Sequence, residues 1–200
     1  MAASVGPMDI DWSNELAEQL DAHWQNQLRP RLDGLTDDEY FWEPVAGCWS
    51  LRKKGTSKAP RSSGAGEYLY EFAYPDPDPD PPPVTTIAWR LAHMIVGVFG
   101  ARNAGHFGGR ACDWDTFTFA GTALGALGQL DSAYAEWING VRRLGADGLA
   151  RPCGPAEGPY SEHSMAELVL HINREALHHG AEIALLRDLY RAKGRDSDAI

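Results

Sequence analysis

The sequence predicts an all-α fold, a four-helix bundle whose first two long helices are separated by a long irregular insertion. Apolar residues recur at three- and four-residue spacing in four long segments. Capping signals, a hydroxyl residue followed three positions later by glutamate, precede two of the predicted helices. Stretches rich in Gly and Pro divide the segments, which indicates loops of some length between the helices. The four predicted helices span residues 12–29, 86–102, 123–144 and 164–192.

The first predicted helix carries a regular apolar stripe and is followed by turn signals. Pro30 discourages its continuation, because the residue before a proline disfavours helical geometry. Thr36 and Glu39 have the spacing of a capping box and predict a short helix near residues 36–41. The stripe consists of Leu16, Leu20, Trp24 and Leu28.

Residues 53–85 differ in composition from the helical segments. The stretch KKGTSKAPRSSGAG is polar, and PDPDPDPPP is compatible with neither a helix nor a central strand. Between them, Tyr68 to Tyr74 alternates like a strand and is expected to lie on the bundle as an extended piece. We interpret this segment as an insertion within one domain of residues 1–200.

The last predicted helix has the clearest boundaries. Ser164 and Glu167 form a second capping box, and Gly194 is expected to end the helix. The helix before it lies between two Gly-rich loops, near residues 104–121 and 145–161. The apolar positions of the last helix include Leu168, Val169, Ile172, Ala176, Ile183, Leu186 and Tyr190.

Composition excludes several classes of protein. No apolar run reaches the roughly 20 residues that span a bilayer, and no signal peptide is apparent, so we expect a cytoplasmic protein. Cys48, Cys112 and Cys153 match neither a disulfide framework nor a zinc-ribbon spacing. The net charge of -10 argues against nucleic-acid binding, which relies on Lys and Arg.

Histidines in two helices form a candidate metal site. His93 lies in the middle of the second helix, and the last helix holds His171, Glu175, His178 and His179 within nine positions. A histidine and a carboxylate four residues apart on a helix can reach one ion, and a ligand from a neighbouring helix would complete the set. The alternative is that these are structural histidines near an apolar stripe. His178 and His179 cannot both face one point.

Arg174 is a candidate for binding an anionic group of a substrate, since its planar guanidinium matches a carboxylate. In the alternative interpretation, Arg174 and the adjacent Glu175 form a solvated ion pair and bind no substrate. His23 lies on the apolar stripe of the first helix, either as a core histidine or as a pocket residue. Cys48 is interpreted as a buried thiol, because nothing near it in sequence would activate it.

These motifs resemble the DinB/YfiT-like superfamily. Its usual marks are a histidine within the second helix and a last helix carrying H-E-x-x-H-R-G-Q, and here WRLAHMI (89–95) and REALHHGAE (174–182) are similar to them. Residues 28–52 are similar to the first interhelical segment of actinobacterial members. The resemblance covers nearly the whole chain apart from residues 53–85.

The resemblance implies a ligand set in two alternative ways. On the simplest alignment His93 and His178 are ligands, and Arg174 occupies the position of the other histidine. A shifted alignment, to the H-x-x-x-E-x-x-x-H pattern of mycothiol-transferase relatives, matches His171, Glu175 and His179. Either Glu175 or His171 then replaces the missing histidine as a ligand, or this branch has lost its metal.

What the resemblance implies about function is thiol chemistry. Members include S-transferases that use mycothiol or bacillithiol, mycothiol-dependent isomerases, and proteins of natural-product biosynthesis or self-resistance. We therefore expect a monomeric or homodimeric mycothiol S-transferase or thiol-exchange enzyme that acts on a small molecule, with no nucleic-acid or membrane partner. The expected catalytic residues are His93, Glu175 and His178. The expected ligands of a zinc or nickel ion are His93, Glu175, His178 and His179, and the expected substrate-binding residues are His23, Trp49, Trp89, His171 and Arg174.

Two other functions remain open at this stage. A metal-free protein that binds or sequesters a small molecule would use the same aromatic pocket, and a stress-associated bundle would have no catalytic activity. Metal content distinguishes the first of these from the enzyme. A metal-free enzyme would instead use His93, Glu175 and either His178 or His179 to move protons.

Overall fold

The computed structural model describes residues 9–197 of the chain. Residues 1–8 and 198–200 lie outside the described residues, so the expectation about a signal peptide concerns a segment that is only partly described. Within the described residues the chain is mostly helical, as predicted, with a small sheet that was not predicted. None of the helices within residues 9–197 combines the length and the apolar character that crossing a membrane requires.

The first long helix, α1, contains a wider turn before its end. It begins as the α-helix Trp12–His23, continues as the π-helix Trp24–Leu28 and ends as the short α-helix Arg29–Arg31. The helix therefore ends two residues beyond the predicted end at residue 29, with Pro30 in its last turn. The amides of the two residues after Arg31 bond to the carbonyls of Arg29 and Pro30, so the last turn closes without the missing proline N–H.

The predicted capping box begins the short helix α2, Asp37–Tyr40. The hydroxyl of Thr36 accepts a hydrogen bond from the Glu39 amide at 3.2 Å, and the Glu39 carboxylate accepts one from the Thr36 amide at 3.0 Å. The same carboxylate pairs with buried Arg187 of the last helix. Glu39, which the sequence identifies as part of a local capping box, thus also forms a long-range contact with the last helix.

The second long helix, α3, carries a longer π-helical stretch. It consists of the α-helix Ile87–Ala92, the π-helix His93–Gly100 and the α-helix Ala101–His106. It continues four residues beyond the predicted end at 102. His93 is the first residue of the π-helical stretch. This geometry is rare in proteins overall, and where it occurs it is often at a functional site.

The remaining helical segments are α4 (Ala123–Arg142), α5 (Gly145–Ala150), a 3₁₀ segment (Pro155–Tyr160) and α6 (Met165–Ser197). Two of them, α4 and α6, follow the prediction closely, whereas the other two lie in residues 145–161, which were predicted as a loop. The hydroxyl of Ser164 accepts a hydrogen bond from the Glu167 amide at 3.3 Å, which places the start of α6 as predicted. The expectation that Gly194 ends this helix is wrong. Glycine lowers helix propensity by about 1 kcal/mol but does not forbid a helix.

Four long helices enclose the core. Helix α1 packs on α4 and α6, and α3 packs on the same two helices. The two helices that carry the candidate ligands, α3 and α6, are therefore neighbours. The largest fully buried apolar side chains include Trp137, Tyr40, Phe99, Leu20, Leu91, Leu130 and Ile172.

The insertion and the two residues before it form a three-stranded antiparallel sheet, which corrects the all-α prediction. Strands β1 (Leu51–Lys53) and β2 (Arg61–Ser63) flank β3 (Tyr68–Phe72), in the order β1-β3-β2. The extended piece predicted over Tyr68 to Tyr74 is confirmed as β3. The two outer strands were missed because each has only three residues, too few for a period-two pattern.

Candidate metal centre

His93, Glu175 and His179 come together where α3 packs on α6, and we call them the His–Glu–His group. Their nearest ligand atoms all lie within 4.8 Å of one another. Glu175 and His179 are one helical turn apart, with 3.4 Å between Oε2 and Nε2. The ring of His93 lies edge-on to that of His179, with 4.7 Å between ring centroids. Two helices thus converge on one point.

The geometry of the His–Glu–His group fits a divalent ion of the zinc type. Ligands about 2.1 Å from a tetrahedral ion are separated from each other by about 3.4 Å, which matches the contact between Glu175 and His179. Two imidazoles and one carboxylate are also a set that leaves coordination positions open for water or a substrate. The residues present are therefore suited to hold zinc, or nickel, at this point.

Electrostatics keep His93 unprotonated. Burial is the main cause that lowers the pKa of His93, and the nearby His179, Arg90 and Arg102 lower it further, to about 3. At neutral pH the imidazole is uncharged and its lone pair is available to an ion. No proton has to be displaced from His93 for it to bind a metal.

His178 does not join the His–Glu–His group. Adjacent residues on a helix point about 100° apart, so His178 and His179 face different directions. The His178 side chain is 62% exposed, and its Nε2 lies 3.4 Å from Oε1 of Glu182. The structure therefore places Glu175 next to His93, which matches the second-helix histidine of the superfamily. It also places Glu175 next to His179, which only the shifted alignment predicts as a ligand.

An aromatic wall stands beside His93. The Trp89 ring is parallel to the His93 ring at 5.5 Å, and its Nε1–H donates to the Glu71 carbonyl of β3 at 2.8 Å. Tyr70, also on β3, stacks on Trp89 at 4.9 Å and on Trp114 at 4.4 Å. The insertion thus fixes the orientation of the wall. Trp89 was predicted from the sequence, whereas Tyr70 and Trp114 were missed because they lie far from His93 along the chain.

A cleft of about 600 Å³ is lined by two neighbours of Glu175, whereas no residue of the His–Glu–His group itself lines it. Oε1 of Glu175 lies 3.9 Å from Nδ1 of His171 and 3.9 Å from Nε of Arg174, and both of these residues line the cleft. The Arg174 side chain is 70% exposed and donates a hydrogen bond to His171 Nδ1 at 2.7 Å. The volume lies within the roughly 300–1,000 Å³ typical of small-molecule sites. The other lining residues are Arg102, Cys153, Glu157, Tyr160, His163, Glu167, Leu168 and Leu170.

Two of the predicted pocket residues lie elsewhere. His23 is half-buried at the end of the first α-helical part of α1, and Trp49 is half-buried before β1. The backbone of Trp49 pairs with that of Val84 and Thr86, which closes the base of the insertion. Neither residue is among those that line the cleft. Of the predicted substrate-binding residues, His171 and Arg174 line the cleft, whereas Trp89 stacks on His93 and does not line it.

Two charged residues that were not predicted from the sequence contact the group. Oε2 of Glu182 lies 2.7 Å from Nδ1 of His179, and Arg90 Nη1 lies 3.0 Å from the same carboxylate oxygen. A signal for both was present, since Glu182 is three residues after His179 and Arg90 is three residues before His93. Such spacing places each charge over the same helical face as a candidate ligand.

Because Gly97 has no side chain, the rings of Trp114 and His93 can pack close to its backbone. A Cβ at this position would lie 2.9 Å from the Trp114 ring and 3.4 Å from the His93 ring. We expect Gly97→Ala to lower the free energy of unfolding by about 1–3 kcal/mol, the usual effect of overpacking, and to weaken zinc binding. Chemical denaturation and a zinc titration measure the two effects. Gly128→Ala is the matched control, because a Cβ there meets nothing within 4 Å and should be neutral or stabilising.

Comparison with known proteins identifies the family. The family model of the DinB superfamily matches residues 19–183, most of the chain, and the match includes all three residues of the His–Glu–His group. No curated protein and no solved structure matches the chain. The extent of the family match shows that the chain belongs to the DinB superfamily.

Proposed function

We propose that this protein is a thiol-dependent S-transferase or thiol-exchange enzyme that uses mycothiol and acts on a small electrophile or a natural-product intermediate. The observation that carries the proposal is the convergence of His93, Glu175 and His179, next to residues that line a cleft of about 600 Å³. A zinc or nickel ion held by the group would supply Lewis acidity, which lowers the pKa of a thiol at the open position.

The residues around the group have distinct roles in this proposal. Glu175 directs one carboxylate oxygen toward His179 and the other toward the cleft. Arg174 binds an anionic group of a reactant there, since its side chain is mostly exposed and its closest acceptor is the ring of His171. Trp89 and Trp114 cover His93 from the side of the sheet and keep water away from it.

The wider setting of the proposal follows the resemblance to the family. We interpret the four long helices as the four-helix bundle of that superfamily, with residues 53–85 as an insertion in a single domain of residues 1–200. The site serves a small molecule in the cytoplasm, and the protein acts as a monomer or homodimer without a nucleic-acid or membrane partner.

A thiol-transfer assay tests the proposed function. Protein purified without chelator is loaded with one equivalent of zinc or nickel, and mycothiol is supplied with monochlorobimane as the electrophile. We expect a metal-dependent rate above the uncatalysed reaction, and a loss of that rate when the metal is removed. Glutathione in place of mycothiol is the control thiol. With an electrophile that bears a carboxylate, Arg174→Met should raise KM about tenfold, as expected for the loss of a charge-assisted hydrogen bond of about 1.5 kcal/mol.

Other outcomes would replace the proposal. An enzyme that stays active without metal would use His93, Glu175 and His179 or His178 to move protons. Tight binding of a reactive small molecule without turnover would identify a sequestration protein, for which the aromatic wall of Tyr70, Trp89 and Trp114 is suited.

A further inference from the structure

Each nitrogen of the His179 ring faces different groups. Its Nε2 points toward the His–Glu–His group, 3.4 Å from Oε2 of Glu175. Its Nδ1 faces two charged residues at once: Oε2 of Glu182 at 2.7 Å and Nη1 of Arg90 at 3.3 Å. Glu182 and Arg90 also contact each other at 3.0 Å. The three side chains are arranged around one imidazole nitrogen.

The two neighbours of Nδ1 favour opposite tautomers of His179. A neutral imidazole carries one N–H, so one nitrogen donates and the other accepts. The Glu182 carboxylate only accepts hydrogen bonds and therefore favours the proton on Nδ1, which leaves the Nε2 lone pair free. The Arg90 guanidinium only donates and favours a bare Nδ1, which puts the proton on Nε2 and blocks that nitrogen as a ligand.

The contacts indicate which neighbour prevails. Nδ1 lies 2.7 Å from Glu182, in the range of charge-assisted hydrogen bonds, and 3.3 Å from Arg90. The Glu175 carboxylate, which favours a proton on Nε2, lies farther from its nitrogen, at 3.4 Å, so the proton is favoured on Nδ1. Arg90 forms an ion pair with Glu182 at 3.0 Å, which holds the carboxylate in place, and its guanidinium lies 5.2 Å from the Trp89 ring. Arg90 thus supports the carboxylate while Glu182 is present, and would take its place at Nδ1 if Glu182 were absent.

We propose that Glu182 and Arg90 are opposed positioning residues for His179: Glu182 sets the tautomer that presents Nε2 to the His–Glu–His group, and Arg90 favours the other tautomer whenever Glu182 is lost. The consequence for metal affinity rests on the proposed function, whereas the tautomer itself does not. The effect of Arg90 therefore changes sign with the residue at position 182.

The same contacts explain a second cluster of candidate ligands. His178, His179 and Glu182 also lie close enough to share an ion. The Arg90 guanidinium already lies against both Glu182 and His179, so a metal ion there would meet a fixed positive charge. We assign this position to the guanidinium and the metal to the His–Glu–His group alone.

Four variants test the inference: Glu182→Met, Arg90→Met, the double variant, and Glu182→Gln, which keeps an acceptor. Zinc affinity is measured by competition with a chromophoric chelator. We expect Glu182→Met to weaken binding by about 100-fold, the upper range for loss of such a partner, and Arg90→Met by less than about threefold. The double variant should recover about tenfold over Glu182→Met. Glu182→Gln should fall between the wild type and Glu182→Met.

Long-range ¹H–¹⁵N spectra of the metal-free proteins report the tautomer directly. The His179 signals are assigned by their loss in His179→Asn. We expect the proton on Nδ1 in the wild type, on Nε2 in Glu182→Met, and a mixture in the double variant, with unchanged far-ultraviolet circular dichroism as the check on folding.

Several results would overturn the inference. They are a wild-type proton on Nε2, a tautomer that Glu182→Met leaves unchanged, or a double variant weaker than Glu182→Met. If the wild type binds no zinc, the proposed function fails, and the tautomers alone then decide for or against the roles of Glu182 and Arg90. If Glu182→Met unfolds, Glu182→Gln replaces it, and we then expect a weaker preference for the proton on Nδ1 than in the wild type, because the neutral amide oxygen is the weaker acceptor.

Discussion

Replacing His93 by alanine is expected to weaken zinc binding by more than about 100-fold, since loss of a ligand exceeds the roughly 10–100-fold effect of losing a residue behind a ligand. His93 is the one member of the His–Glu–His group that α3 supplies, so its loss leaves two neighbouring residues of α6 alone. Elemental analysis and chelator competition measure the change, and the thiol-transfer rate should fall in parallel.

His178→Ala is the matched control for this experiment. It removes a histidine adjacent to His179 that is exposed and lies outside the His–Glu–His group. We expect its zinc affinity to stay within about threefold of the wild type, well below the effect of losing a residue behind a ligand. If His178→Ala lost the metal and His179→Ala kept it, the simplest family alignment would be right and the His–Glu–His group would not be the metal site.

The buried ion pair between α2 and α6 should contribute more to stability than the exposed ion pairs of the surface. Arg187 Nε lies 3.0 Å from Oε1 of Glu39, and both side chains are almost fully buried. Arg187→Met leaves the carboxylate without its main partner, and we expect the free energy of unfolding to fall by about 3 kcal/mol. Urea denaturation at pH 7 measures the change.

Two further variants define that effect. Arg31→Met breaks the exposed pair with Asp188, beside Arg187, and should cost less than about 1 kcal/mol. The double variant Glu39→Met with Arg187→Met should be more stable than Arg187→Met, because it leaves no unpaired buried charge. A double variant less stable than Arg187→Met would contradict this explanation.

The pH dependence of the same pair has a definite sign. Burial by itself raises the pKa of Glu39, but hydrogen bonds from Arg187 and Thr36 outweigh it, and the net pKa is lowered. A lowered pKa stabilises the fold above the unfolded-state value of about 4.3, and that stabilisation is lost as the pH falls through the folded-state value. The difference between wild type and Arg187→Met should therefore be smaller at low pH than at pH 7.

The helices could be predicted well because their signals are local and long. Apolar periodicity over many turns and the two capping boxes placed α2, α4 and the start of α6 within a few residues. The sheet could not be predicted from the sequence, because the pairing of the polar strand β2 with β3 depends on residues that meet only in the fold. The end of the last helix was misplaced because Gly194 is a weak signal without its tertiary context.

The candidate site shows the same limit. Relative to Glu175, a residue three positions later lies about −60° around the helix and one four positions later about +40°, so spacing alone cannot choose between His178 and His179. The position of His93 on α3 makes the choice in the structure. The roles of Arg90 and Glu182 depend on contacts between two helices, which no pattern in a single helix contains.

The π-helical stretch His93–Gly100 sets the rotational phase of one half of α3 against the other. Its last turn closes between the Ala101 amide and the Val96 carbonyl, a span of five residues. If the same eight residues were α-helical instead, the wide turn would no longer take up its extra residue, and the two halves would turn relative to each other by about 100°. His93 and Arg90 would then lose their alignment with α6 while the downstream half kept its packing. The site thus depends on the wide turn between positions 93 and 100 as much as on the identity of its ligands.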